Sequence, residues 1–297
     1  MVTVAGKRRV APTFRRTEAS FHMTAVGLHM VSVGEVALIA GLAGAATGLG
    51  AIPTLFTDRI SHRIYDSAIG LAAGIMIGAA VFALIVPGLE FGTLTEVVLG
   101  VVVGAVFLLV ANQYIPHAHV FFNGLLNGGT TGDKRRYPES KRAEELSDDS
   151  RKAALIGGSI TIHNVPEGLA IGIAFASGLD AVGIALAIAI AVQNVPDGFA
   201  MAVPASRAGL SKAKTVIVTT LSGAIPEPIA AVVGFTLVTL VTGIFPVAAG
   251  FAAGTMMAVV FREMIPSSHG HGFADEATLT FVVGFVIMLI VDVGLAV

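Results

Sequence analysis

The chain has 297 residues and a formal net charge of -2, with 55% hydrophobic and 13% charged residues. Soluble domains average about 25% charged residues, so this composition excludes an ordinary soluble protein. There is no Cys, which excludes disulfides and thiolate metal ligands, and no basic groove of the kind that binds nucleic acid.

A helix that crosses a bilayer needs about 20 mostly apolar residues. Runs of that kind lie near 31–55, 65–89, 93–115, 152–176, 180–204, 213–237, 240–262 and 276–296. They predict an all-α, polytopic integral membrane protein with eight transmembrane helices in a domain spanning 31–297. Only a Thr-Gly turn at Thr242 and Gly243 separates the sixth run from the seventh. Residues 1–30 form a polar, basic tail with Lys7, Arg8, Arg9, Arg15 and Arg16 and no apolar core of a signal peptide directly after the charges. The stretch 116–151 is polar and rich in charge, and reads as a cytoplasmic loop. His117 and His119 at its start could receive metal, although loop histidines are more often simply solvated.

Every Lys and Arg beyond residue 30 falls on one side of this arrangement, in loops 1–2, 3–4 and 5–6 and at the inner end of helix seven. The positive-inside rule then places those loops in the cytoplasm and both termini outside. The basic tail argues the other way, and the even loop pattern outweighs it.

Ionisable groups inside a membrane are expensive and are functional candidates by default. Glu35, Glu167, Asp197, Glu227, Glu263 and Asp292 lie within or at the ends of the predicted helices, with no Lys or Arg at mid-membrane to neutralise them. Glu35 is close enough to the outer end of helix one for simple solvation. Helix four reads His163-Asn164-Val165-Pro166-Glu167-Gly168, and helix five reads Gln193-Asn194-Val195-Pro196-Asp197-Gly198. Helix six adds Pro226-Glu227-Pro228. Residues four apart share a helix face, so His163 stands with Glu167 and Gln193 with Asp197. If the two helices face each other, an imidazole, two carboxylates and an amide oxygen converge. Asn164 and Asn194, one position round, could join Asp197 and Glu227 in a second cluster.

The prolines leave carbonyls free one turn earlier, and the following glycines admit a close neighbour. A lone His or amide in a membrane helix more often just bonds to a neighbouring helix. The recurrence of the whole pattern favours a cation site. Nitrogen and oxygen donors without thiolate suit zinc, iron(II), manganese or cadmium. Gly70, Gly74 and Gly78 on helix two form a small-residue face for close packing, and Met76 beside it is a packing residue on the residues alone.

An intramembrane metalloprotease would need His-Glu-x-x-His on one helix, which is absent, so an enzyme is not expected. The competing transport reading is a channel or exchanger for magnesium or another hard cation.

The twinned motifs resemble those of the ZIP (Zrt/Irt-like) metal transporter family, and most of all its GufA-like prokaryotic branch. Gly48-Leu49-Gly50-Ala51-Ile52-Pro53, Ala73-Gly74-Ile75-Met76, Pro87-Gly88-Leu89-Glu90 and Met264-Ile265-Pro266 add to the resemblance, which covers roughly 31–297. It implies a carrier of zinc, and of iron(II), manganese or cadmium, toward the cytoplasm. The implied setting is a homodimer in the plasma membrane, with no cofactor. It implies a transport site of His163, Glu167, Gln193 and Asp197 with Met76 at its edge, and a second site of Asn164, Asn194 and Glu227 that shares Asp197. Glu90 and Asp292 would stand at the outer mouth and Glu263 at the inner exit. The implied motion is an elevator-like shift of helices one, four, five and six against the other four. Asn194 stands where close relatives often carry Asp, Asp197 where they often carry Glu, and Arg262 where they can have His. The first change removes a charge from the second site, and the second shortens a ligand arm by one methylene.

Overall fold

The computed structural model describes residues 31–57, 60–126, 163–207, 209–241 and 243–294, with only the backbone for 112–126. The basic tail, most of the expected loop at 116–151 and the start of the fourth run lie outside these residues, as do the side chains of His117 and His119.

Every described element is helical, and no strand occurs among the described residues. In chain order the helices are α1 (Val33–Phe56), α2 (His62–Phe91), α3 (Leu94–Leu126), α4 (163–176), α5 (Asp180–Arg207), α6 (Lys212–Leu240), α7 (Phe245–Ser268) and α8 (Ala274–Gly294). Seven of them, all but α4, contain a stretch long and apolar enough to cross a membrane. At about 1.5 Å per residue, the 24 residues of α1 reach roughly 36 Å, enough for the hydrocarbon core.

Local sequence sets the ends. Ser32 caps α1 in a capping box with Glu35, which gives that acid a backbone role at the helix start. Ser61 and Ser211 cap α2 and α6 in the same side-chain manner. The break between α6 and α7 falls where Thr242 and Gly243 were expected to place it, and Gly243 turns the chain with φ of 80°. Two boundaries differ from expectation. Helix α3 continues to Leu126, eleven residues past the expected 115, because Pro116 fails to end it and the apolar run through Phe121, Phe122 and Leu125 carries it on. The helix thus takes in residues 116–126 of the expected loop. Helix α7 reaches Ser268 through a π-helical segment, Val260–Met264, whose wider turn lets Pro266 enter without breaking the rod.

The helices pack as two sets. One comprises α2, α3, α7 and α8, with α2 against α8 and α3 against α7; the other comprises α1, α4, α5 and α6. Helix α2 packs against α5 between the sets. Without water to drive association, helices in lipid gain from close van der Waals approach, which small residues permit. Gly74 on α2 abuts the Phe281 carbonyl of α8 so tightly that a Cβ would collide with it. The outer faces of α3 and α8 are lined by exposed Val, Leu and Ile, as lipid contact requires.

Contacts between loop ends gather the charges at one end of the molecule. Arg207 donates to the Ile60 carbonyl, Lys212 donates to the Leu55 carbonyl, and Arg63 pairs with Glu276 at 3.0 Å. Loops 1–2, 5–6 and 7–8 thus share one end, in keeping with the alternation of charged and uncharged loops.

Replacing Gly74 with Ala should destabilise the fold by about 1–3 kcal/mol by overpacking. A thermal melt in detergent checks this, with Gly294→Ala, where no atom lies within 4 Å of the added methyl, expected to leave the midpoint unchanged.

Candidate metal centre

The twinned motifs lie on α4 and α5, and the acid flanked by prolines opens the second half of α6. Glu167, Gln193, Asn194 and Glu227 are 0% exposed and Asn164 1% exposed, so none can be satisfied by bulk water. Backbone closeness holds the three helices together. Gly168 meets the Glu227 backbone, Gly172 meets Ala231, and Gly198 meets the Thr47 carbonyl of α1. A side chain at any of these would force the carboxylates apart.

The three amides share one design. Gln193 donates its Nε2 to Glu167 Oε1 at 2.7 Å. Asn194 donates Nδ2 to Glu227 Oε1 at 2.7 Å and to the Ala43 carbonyl of α1 at 2.9 Å. Asn164 donates Nδ2 to the Ser222 carbonyl of α6 at 2.7 Å. Carbonyl and carboxylate oxygens only accept, so each amide must turn its NH2 toward them, and its own oxygen is fixed pointing elsewhere. Among the described residues, five buried oxygens then have no hydrogen-bond partner: Asn164 Oδ1, Glu167 Oε2, Gln193 Oε1, Asn194 Oδ1 and Glu227 Oε2. Leaving one such group unsatisfied in an apolar medium costs about 2–7 kcal/mol, so five together are a large demand for an electropositive partner. Every described Lys and Arg is exposed, so no protein cation meets that demand among the described residues. The arrangement is chemically suited to a divalent cation that coordinates oxygen.

The remaining candidates sit as follows. His163, partly buried, bonds through Nε2 to Glu263 Oε2 of α7 at 2.6 Å, and is not paired with Glu167 as the four-residue spacing suggested. Glu263 rides on the π-helical segment and bridges the two helix sets there. Asp197 is half-buried, and the charges of Glu167, Glu227 and His163 all lie within its electrostatic reach. Met76 is buried in the apolar core on α2. Glu90 is exposed and Asp292 half-buried, close enough to each other for their charges to interact. Arg262 is exposed. Among the described residues no three His, Cys, Asp or Glu side chains are already gathered as a ligand set, so a metal here must draw on amide oxygens as well.

Sequence reasoning missed the Ala43 and Ser222 carbonyls, which orient the amides from α1 and α6. It also missed Asp66, a fully buried acid one turn into α2 that bonds to His271. Its position inside an apolar run was the available signal.

Comparison with known proteins gives the family. The family model described as ZIP Zinc transporter matches residues 125–292. The chain belongs to the ZIP family. It is 33% identical over 263 residues to the zinc transporter GufA of Myxococcus xanthus, covering 86% of this chain and 96% of that protein. It is 36% identical over 276 residues to the zinc transporter ZIPB of Bordetella bronchiseptica, covering 87% and 81%. The human zinc transporter ZIP11 is 32% identical over 321 residues, covering 84% and 94%. This ZIP chain is accordingly a membrane transporter of the divalent-metal class and not an enzyme.

Asn194→Asp should test the second cluster. It removes the donor that steadies Glu227 and sets two carboxylates side by side, so the metal-free protein should melt lower. The zinc-induced rise in melting temperature should be larger than in the wild type, because the added charge is neutralised only by the bound cation. An unchanged zinc-induced rise would mean that Asn194 and Glu227 take no part in binding.

Proposed function

We propose that the protein carries zinc, and with lower preference iron(II), manganese or cadmium, across the plasma membrane into the cytoplasm. The transport site comprises His163, Glu167, Gln193 and Asp197 with Met76 at its edge. A second site comprises Asn164, Asn194 and Glu227 and shares Asp197. The observation that carries this assignment is the set of five buried oxygens without a hydrogen-bond partner beside amides whose NH2 groups face other acceptors.

The chain crosses the membrane eight times with both termini outside. Metal enters past Glu90 and Asp292, exchanges water for the carboxylate and amide oxygens, and leaves past Glu263. His163 changes partner in the process: its Nε2 gives up Glu263 and turns to the ion, which loosens one link between the helix sets. The division of the helices into two sets supports an elevator-like shift of α1, α4, α5 and α6 against α2, α3, α7 and α8, within a homodimer.

The all-oxygen character of the five unpartnered atoms also favours a second reading, a hard cation such as magnesium. His163 is the discriminating ligand, since imidazole selects zinc over magnesium.

Zinc uptake into proteoliposomes decides between the two. Uptake should saturate, compete with cadmium and resist an excess of magnesium. His163→Ala combined with Glu167→Ala should reduce it by at least about tenfold, in line with loss of ligands from a metal site. Ligands must be deprotonated to bind, so uptake should fall as pH drops from about 7.5 to about 5. Competition by magnesium instead of cadmium would establish the hard-cation reading, and uptake that survives the double substitution would remove the site from α4.

A further inference from the structure

Both prolines of α5, Pro196 and Pro204, lie inside the helix. A proline has no N–H, so the carbonyls four residues earlier, those of Val192 and Ala200, lose their helical donors. The stretch between the prolines, 197–203, is therefore held less firmly by its own helix than an ordinary turn. It carries Asp197, a ligand in the proposed transport site. Its position comes from its neighbours. On one side is α1, of the same set, where Gly50 leaves no room for a Cβ beside the Val195 carbonyl and the Phe199 amide. On the other side is α2, of the opposite set, whose Tyr65 hydroxyl donates to the Ala200 carbonyl at 3.4 Å. That carbonyl is the one that Pro204 deprives of its donor. A phenol from the other helix set thus fills a place that the helix itself leaves open.

The ring of Tyr65 is held independently of its hydroxyl. It lies 6.3 Å from the Phe199 ring of α5 and edge-on to His271, with centroids 5.7 Å apart. His271 is itself fixed by a 2.8 Å bond to Asp66, which is fully buried on α2. The aromatic ring is thus clasped between a residue of α5 and a buttress belonging to its own set. Removing the hydroxyl leaves this packing in place, so the ring and the tie can be tested apart.

We propose that Tyr65 is a positioning residue for transport: its hydroxyl ties the 197–203 stretch of α5 to α2 in this structure, and the tie opens when the helix sets shift. Ala200 stands three residues past Asp197 on the same stretch, so the closed tie fixes the place of that carboxylate against α2. An O–H···O bond of 3.4 Å is long and hence weak, which suits a contact made and broken in every cycle. The opening rests on the shift of the two sets proposed above.

Distances between spin labels test the tie. The chain has no Cys, so Ile217→Cys on α6 and Leu279→Cys on α8, both exposed, place one label on each helix set. Labelled chains are diluted with unlabelled ones in detergent micelles, so that only distances within one chain are read. With Tyr65 in place, two distances should appear, in proportions that zinc changes. Tyr65→Phe should lower the share of the distance that matches this structure by about two- to fivefold, the range of one weak neutral hydrogen bond. Pro204→Ala returns a helical donor to the Ala200 carbonyl and should lower the same share. In the Tyr65→Phe background it should have no further effect, because both substitutions act on one bond. Unchanged proportions in Tyr65→Phe, whatever its melting temperature, would overturn the role of Tyr65. So would an effect of Pro204→Ala that persists without the hydroxyl. A single distance with Tyr65 in place, with or without zinc, would instead remove the shift of the sets, and the opening of the tie with it.

Discussion

Carboxylates buried in a membrane protein without a protein cation impose the constraint around which the rest of this structure is arranged. Glu167 and Glu227 are fully buried on neighbouring helices, and every described Lys and Arg is exposed. An uncompensated ion in a low-dielectric interior is so costly that such a group takes a proton or a positive partner. Here the protein supplies half of the answer through Gln193 and Asn194, each of which gives one hydrogen bond to one oxygen of a carboxylate. The other oxygen, together with the amide oxygens, has no hydrogen-bond partner among the described residues, and in the proposed function it is the transported ion that meets them. A carrier requires such partial satisfaction, because a fully satisfied network would have no use for an ion and a site closed on all sides would not let it go.

The scaffold serves this arrangement by bringing backbones unusually close. Gly168, Gly172 and Gly198 let α4, α5, α6 and α1 approach until carbonyls of one helix reach side chains of the next. The amide of Asn194 can then reach the Ala43 carbonyl, and that of Asn164 the Ser222 carbonyl. The same device, with Gly74 against Phe281, holds α2 on α8 in the other set. Each set is knit by tight glycine contacts, while α2 against α5 and the bond between His163 and Glu263 join them. The proposed elevator-like shift would take place at this boundary, where α2 packs on α5 and His163 meets Glu263.

Much of this was legible because the informative patterns are local. The twinned motif, thirty residues apart in the chain, named the residues that would converge if α4 and α5 faced each other, and Gln193 of α5 does bond to Glu167 of α4. The four-residue glycine spacing on α2 announced close packing, and the Thr-Gly step announced the α6–α7 break. What escaped is long-range. His163 meets Glu263 across 100 residues and Asp66 meets His271 across 205, and no spacing in either segment points to the other. The helical periodicity that sets His163 and Glu167 on one face is correct for the backbone, yet the ring bonds to Glu263 of another helix. Carbonyls such as those of Ala43 and Ser222 have no residue-type signal at all. Helix α3 outran its expected end because the apolar run was closed at 115, where the polar, charged stretch was taken to begin, whereas the helix continues to Leu126.

The central claim is that the oxygens of α4, α5 and α6 hold the transported ion, and anomalous diffraction from crystals soaked with zinc at one equivalent tests it most directly. The account predicts a zinc peak among Glu167, Gln193 and Asp197, with His163 turned from Glu263 to the metal. A peak found only elsewhere, with Gln193 still bonded to Glu167 and the five oxygens still without a partner, would contradict it.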